Sequence, residues 1–274
     1  MQEVRSVVIP SNYPERTGKH FIRYCNRQTP QSGDISIAGA ILQHTGNILE
    51  LSQERLSAEA HLSGASISRF IRRCGFESFQ SFKNQFERFL SQRSLRRSKH
   101  FLAAYHDQSD MDVGRQLYDD AVQNLKATMD DLPLPLLEQT ARMMCQSRTV
   151  YLVGDGRDLY CFYSLQLDLL CSGRAAYFYN VDEVSEHTMP PMDSRTLVLL
   201  LSVNPFWYHE EIASLCDAAR KARACTVLFT QGSPSEDVKA NFCCRYGRPG
   251  SVNDGYYSLY FLAQLLSVLF YRAQ

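Results

Sequence analysis

Five short apolar runs in the second half of the chain constrain its fold more than any other feature. They are TVYLVG (149–154), AAYFY (175–179), TLVLLLS (196–202), CTVLFT (225–230) and NFCCRY (241–246), and helical patterns separate at least four of them. A strand that is apolar along its whole length is buried on both faces. Strands of this kind that alternate with helices pair in parallel, with helices on either side of the sheet. The expectation is therefore an α/β sandwich around a five-stranded parallel sheet, closed by a helix over 254–271. Two helical patterns precede it, over 111–131 (Val113, Leu117, Val122, Leu125, Met129) and 134–145. The adjacent Cys243 and Cys244 fall in the last run, so their side chains should point to opposite faces.

The first half has a different texture. Residues 51–76 read LSQERLSAEAHLSGASISRFIRRCGF, two short helical segments joined by a tight turn at His61-Leu62. In a helix over 65–74, Ile67, Phe70, Ile71 and Cys74 follow the i, i+3, i+4, i+7 spacing and share one face. Ser66, Arg69, Arg72 and Arg73 fall on the opposite face, with Ser68 at its edge, and Ser63 stands at the N-cap. In the preceding segment Leu56 and Ala60 lie one turn apart and can pack against this helix, with Leu62 as a core plug. This is the pattern of a helix-turn-helix, whose second helix enters the DNA major groove. Arginine can read guanine bidentately, and serine can meet base edges or phosphate. A solvated, Arg-rich helix in an ordinary bundle is the alternative. His61 stands where the turn commonly has glycine.

A helix near 32–43 comes before this motif. A further helix over 78–90 follows it, with Phe79, Phe82, Phe86 and Phe89 facing a core and Lys83 and Arg88 left to meet phosphate. The run 92–100 holds Arg93, Arg96, Arg97 and Lys99, either as a solvated linker or as a segment near DNA.

On these residues the chain resembles the RpiR family of bacterial regulators. The matching positions are Thr29-Pro30, Ile37-Ala38, Ile41-Leu42, Leu51-Ser52, Leu56, Ala60, Ser63, Ile67, Arg69-Phe70 and Gly75-Phe76, with Phe79 following. The resemblance implies a helix-turn-helix domain at 1–92, a basic linker at 93–110 and a sugar isomerase (SIS)-like domain at 111–274. It implies a transcription regulator of carbohydrate-metabolism genes that binds a double-stranded DNA operator. A sugar derivative on the SIS-like domain would modulate that binding, and the chain would act as a homodimer or homotetramer. DNA contacts would come from Ser63, Ser66, Ser68, Arg69, Arg72, Arg73 and Lys83.

Composition fits this division. The 274-residue chain has no net charge, yet residues 1–110 hold 15 Lys/Arg against 10 Asp/Glu, and residues 111–274 hold 14 against 19. A basic head on an acidic body suits DNA binding by the head. Residues 1–30 lack the apolar core of a secretory signal, and no run of about 18 apolar residues occurs, so neither a signal peptide nor a membrane span is expected. Nine cysteines form no CxxC pair. An odd count without close spacing points to reduced thiols in a cytoplasmic protein, with no metal and no cofactor.

Two loops follow strands where ligands of parallel sheets gather. The first holds Gly154, Gly156, Arg157 and Asp158. The second holds Ser202, Asn204 and Trp207. SIS domains that bind phosphosugars usually carry GxGxS and SxSGxT there. Here Asp158 takes the first-loop serine position, and of the second signature only Ser202 matches. A carboxylate repels a phosphate, and Pro205 removes a backbone donor. Trp207 offers a flat face to a sugar ring, or is simply a packed aromatic. An unphosphorylated or differently charged sugar derivative, or no ligand, follows from these departures. Glu183, Glu186, His187, His209 and Glu210 are candidate bases by type only, so no enzyme is expected. The alternatives are a sugar-phosphate isomerase with an accessory helical domain and a SIS-like domain used only for oligomerisation.

Overall fold

A computed structural model describes residues 14–96, 105, 107–181, 190–203, 208–249 and 255–274. The chain separates into two compact units, Met1–Gln108 and Ser109–Gln274.

The first unit is helical. It comprises α1 (Pro14–Asn26), α2 (Gly33–Leu42), a single 3-10 turn (Ile48–Glu50), α3 (Gln53–Ala60), α4 (Gly64–Arg73) and α5 (Phe79–Arg96). Serine side chains start four of these helices, because their hydroxyls accept from an otherwise orphaned backbone N–H; at α5, Ser78 Oγ accepts from Ser81 N at 3.1 Å. Ser32 caps α2 through Ile35 N, Ser52 caps α3 through Arg55 N, and Ser63 caps α4 through Ser66 N. The turn between α3 and α4 is made by His61, which adopts the left-handed conformation at φ 53°. The core gathers Ile37 and Ile41 of α2, Leu56 and Ala60 of α3, Ile67, Phe70 and Ile71 of α4, and Phe82 and Phe86 of α5. Phe21 of α1 packs on this set with its ring centroid 5.1 Å from Phe86 and 5.8 Å from Phe82. The predicted apolar face of α4 is thus the buried one, and Cys74 is buried with it.

The second unit opens with α6 (Asp110–Asp130) and α7 (Leu134–Gln146). There follow β1 (Thr149–Gly154), α8 (Gly156–Cys161), α9 (Tyr163–Cys171), β2 (Ala175–Asn180), β3 (Thr196–Ser202), α10 (His209–Lys221), β4 (Cys225–Thr230), β5 (Phe242–Arg245) and α11 (Gly255–Ala273). All five strands pair in parallel in the order β2-β1-β3-β4-β5. One face of the sheet packs on α7, α9 and α11 through Leu137, Met144, Leu165, Leu169, Leu262 and Phe270. The other packs on α10 through Ile212 and Leu215, which meet Val153, Val198, Leu200 and Leu228. The expected five-stranded sandwich is therefore the observed one. Cys243 is exposed and Cys244 buried, as their alternation in β5 requires.

One helix departs from its sequence pattern. Of the apolar series in α6, Leu117, Val122 and Met129 are exposed and Val113 and Leu125 half-buried, and Met111 and Tyr118 are exposed as well. The buried side chains are Asn124 and Thr128. The cause is a polar network. Asn124 Oδ1 accepts from Ser258 Oγ at 3.1 Å and from Arg248 N at 3.2 Å, and Thr128 Oγ1 lies 2.8 Å from Ser258 Oγ. These bonds turn the polar stripe of α6 inward. Among the described residues no helix is long and apolar enough to cross a membrane.

Candidate DNA-reading face and ligand site

The outer face of α4 is built from its N-terminus. Ser63 Oγ accepts from Ser66 N at 3.3 Å and lies 3.1 Å from Ser66 Oγ, which accepts from Arg69 Nη2 at 3.2 Å. Gln53, the first residue of α3, donates to Gly64 O at 2.8 Å and to Ser68 Oγ at 3.1 Å. That amide fixes α3 against the start of α4 and holds Ser68 at the edge of the face. Arg69, Arg72 and Arg73 are exposed. Ser63, Ser66, Arg69 and Arg72 therefore share one outward surface, with Ser68 beside them.

The other two cations expected there are engaged by partners: Arg73, itself exposed, pairs with neighbouring helices, and Lys83 is buried. Arg73 donates through Nε to the Tyr24 hydroxyl at 2.7 Å and forms an ion pair with Asp34, whose carboxylate also accepts from Tyr24. Burial, then the bond to Asp34, pushes the Tyr24 phenol up to about 12. The phenol therefore stays protonated and bridges the pair at neutral pH. Arg73 ties α4 to α1 and α2 and is a lock between helices. Lys83, expected to be free for phosphate, is only 8% exposed. Its ammonium donates to Leu49 O at 2.8 Å and Leu51 O at 3.0 Å and sits 5.4 Å from the Phe79 ring centroid. An ammonium held by two carbonyls reaches a phosphate only by leaving both unmet, so the structure places Lys83 inside. Residues 92–96 of the basic run continue α5, and 97–100 lie outside the described residues.

In the second unit, β1 lies between β2 and β3, so the chain leaves β1 on one side and returns on the other. The crevice at such a switch point is where parallel sheets take ligands, and both loops singled out above start there. Gly154 ends β1 because a Cβ there would lie 2.9 Å from Leu201 O and 3.2 Å from Asp158 Cβ. Its role is close packing. Gly156 opens α8 opposite the Asn180 side chain of β2. Arg157 is exposed and its guanidinium lies 4.9 Å from the Tyr256 ring centroid. Asp158 is 5% exposed. Ser202 ends β3 and is buried beside Thr230 of β4. Asn204, Trp207, Glu183, Glu186 and His187 lie outside the described residues; His209 and Glu210 open α10.

Sequence reasoning missed two tyrosines here. Tyr246, just after β5, is buried, and its hydroxyl meets no hydrogen-bond partner among the described residues. Burial pushes its phenol well up, and the charge of Asp158 adds to this. Burial and then Asp158 raise the Tyr256 phenol in the same way. Both phenols stay protonated at neutral pH. An apolar run conceals this, because a tyrosine in a strand or helix reads as core.

Two separate classes are thus defined: a helix-turn-helix unit and a parallel α/β unit with a crevice at its switch point. Residues 23–93 match the family described as "Helix-turn-helix domain, rpiR family", so this part of the chain is an rpiR-type helix-turn-helix domain. A curated relative is an uncharacterized HTH-type transcriptional regulator of Clostridium perfringens, 24% identical over 159 residues, or 57% of this chain. The match covers 52% of that relative, about half its length. Among solved structures, a proposed sugar-phosphate isomerase of Listeria monocytogenes aligns with 59% of this chain and 88% of its own at a TM-score of 0.50 and 13% identity. That likeness shows a SIS-type fold for the α/β unit. The Vibrio vulnificus NanR protein, solved in complex with ManNAc-6P, aligns over 92% of this chain and 91% of its own at 17% identity and a TM-score of 0.46.

Proposed function

We propose that the protein is a DNA-binding transcriptional regulator whose affinity for its operator is set by a sugar derivative bound at the carboxyl end of the α/β sheet. The observation that carries this reading is the outer face of α4. It presents Arg69, Arg72, Ser63 and Ser66 to solvent within an rpiR-type helix-turn-helix domain. One such helix reads few base pairs, and a two-fold dimer doubles the site. The exposed apolar series of α6 supports self-association of the second unit, and sedimentation or light scattering reads its order directly. The second unit acts as a sensor and not as an enzyme. The ligand would favour one spacing of the two DNA-reading helices over others. Reduced thiols throughout fit a cytoplasmic setting.

The test is a gel-shift titration with genomic fragments across salt concentrations. Replacing Arg69 and Arg72 together with alanine should abolish sequence-specific shifts and flatten the dependence of log affinity on log salt by about two phosphate contacts. An unchanged affinity and slope in that variant would sink this reading.

A further inference from the structure

Gln53 belongs to α3, yet its side chain is bonded to the DNA-reading helix. It is the first residue of α3, and its Nε2 donates to Gly64 O at 2.8 Å and to Ser68 Oγ at 3.1 Å. A carbonyl only accepts, so the bond to Gly64 O fixes which end of the amide is nitrogen. Gly64 makes room for it, since a Cβ there would lie 3.2 Å from Nε2. A serine within a helix can turn its hydroxyl back to the carbonyl four residues earlier, which for Ser68 is Gly64 O. Here that oxygen already meets Ser68 N along the helix and the amide of Gln53. The Ser68 hydroxyl instead accepts from Gln53, and its own proton has no acceptor among the described residues. With both amide protons used, Gln53 Oε1 likewise has no donor among the described residues. Both side chains are half-buried, so each still reaches solvent. An open acceptor thus stands beside an open donor, held at the edge of the outer face of α4.

We propose that Gln53 and Ser68 together read one A·T pair of the operator in the major groove. The Gln53 carbonyl accepts from the adenine N6 amino group, and the Ser68 hydroxyl donates to adenine N7. Adenine offers that donor and that acceptor side by side, whereas guanine offers two acceptors and cytosine a donor alone. Ala65, one turn before Ser68 and exposed, adds a methyl suited to the thymine C5-methyl of the same pair. This rests on reading α4 as the helix that enters the groove.

The experiment selects binding sites for the full chain from a pool of random double-stranded DNA, then repeats the selection with Gln53→Leu and with Ser68→Ala. The unaltered chain should fix an A·T pair that both variants release, each losing about tenfold of the preference there. Preferences at other positions should persist. The double variant should lose no more than either single one, because the two side chains act as a unit. Replacing the adenine of that pair with 7-deazaadenine removes the N7 acceptor. It should weaken the unaltered chain about as much as Ser68→Ala does, and leave the affinity of that variant unchanged. This arm needs no change at Gln53, so it decides the matter even if Gln53→Leu fails to fold. A merely structural Gln53 would lower affinity evenly across all sequences, and that result overturns its assigned role. Release of a G·C pair in place of an A·T pair overturns the adenine assignment. If the unaltered chain enriches no sequence, the DNA-reading role itself fails. A clear site whose preferences survive both variants overturns the present proposal alone.

Discussion

Arg69, Arg72, Arg73 and Lys83 carry the same formal charge and do different work, because their partners differ. Arg73→Ala removes the bridge to Asp34 and Tyr24. It should lower the stability of the helical unit by about 1–2 kcal/mol and leave the salt slope of DNA binding almost unchanged. Arg72→Ala should do the reverse, with slope reduced by about one; denaturant melts beside salt titrations separate the two. Lys83→Met deprives Leu49 O and Leu51 O of their donor and should cost about 2 kcal/mol in the same melts. A pH effect belongs at this scale too. Glu59 accepts from His44 at 2.7 Å and from Arg55 at 2.9 Å, and these bonds, His44 first, hold its carboxyl below the usual carboxylate value. A lowered folded-state value means the contribution is present above about pH 4.5, the ordinary glutamate value, and is lost as pH falls through the lower, folded one. Stability of the helical unit should therefore fall in that acid window, and Glu59→Gln should flatten the fall.

At the level of elements, what the sequence made legible follows from period. The face of α4 was readable because Ile67, Phe70, Ile71 and Cys74 repeat at helical spacing, and the strands because their apolar runs are unbroken. The face of α6 was not. Its orientation is decided by Asn124 and Thr128, which bond to Ser258 and Arg248 more than a hundred residues away. The same holds for the lock on Arg73, whose partners lie 39 and 49 positions distant. Burial of a cation or an amide depends on who meets it, and periodicity contains no partners. His61 shows the opposite case. Its departure from glycine at the turn left the backbone demand in place, and the residue simply takes φ 53°. Because an L side chain is strained there, His61→Gly should stabilise the helical unit by about 0.5–1 kcal/mol. The midpoint of urea unfolding checks this, and a lower midpoint would show that the histidine ring makes a compensating contact.

For the whole molecule, each unit holds its own core, and the polar network of α6 closes within the second. A piece comprising residues 109–274 should accordingly unfold in one cooperative step when followed by circular dichroism. A broad, non-cooperative melt would mean that this unit depends on the first. The sheet order also has a consequence in time. The ribosome makes β1 first; β2 adds to one side of it, β3 to the other, and β4 and β5 follow outward. The face that includes Leu137, Leu165 and Leu169 waits for α11, whose Leu262, Leu266 and Phe270 cover it. At ordinary synthesis rates, roughly 5–20 s separate β1 from that helix. Over this interval the nascent chain displays an apolar surface that the finished protein never shows, which is the condition a holding chaperone recognises. Translation halted just before Gly255 should leave the chain captive to chaperones or insoluble.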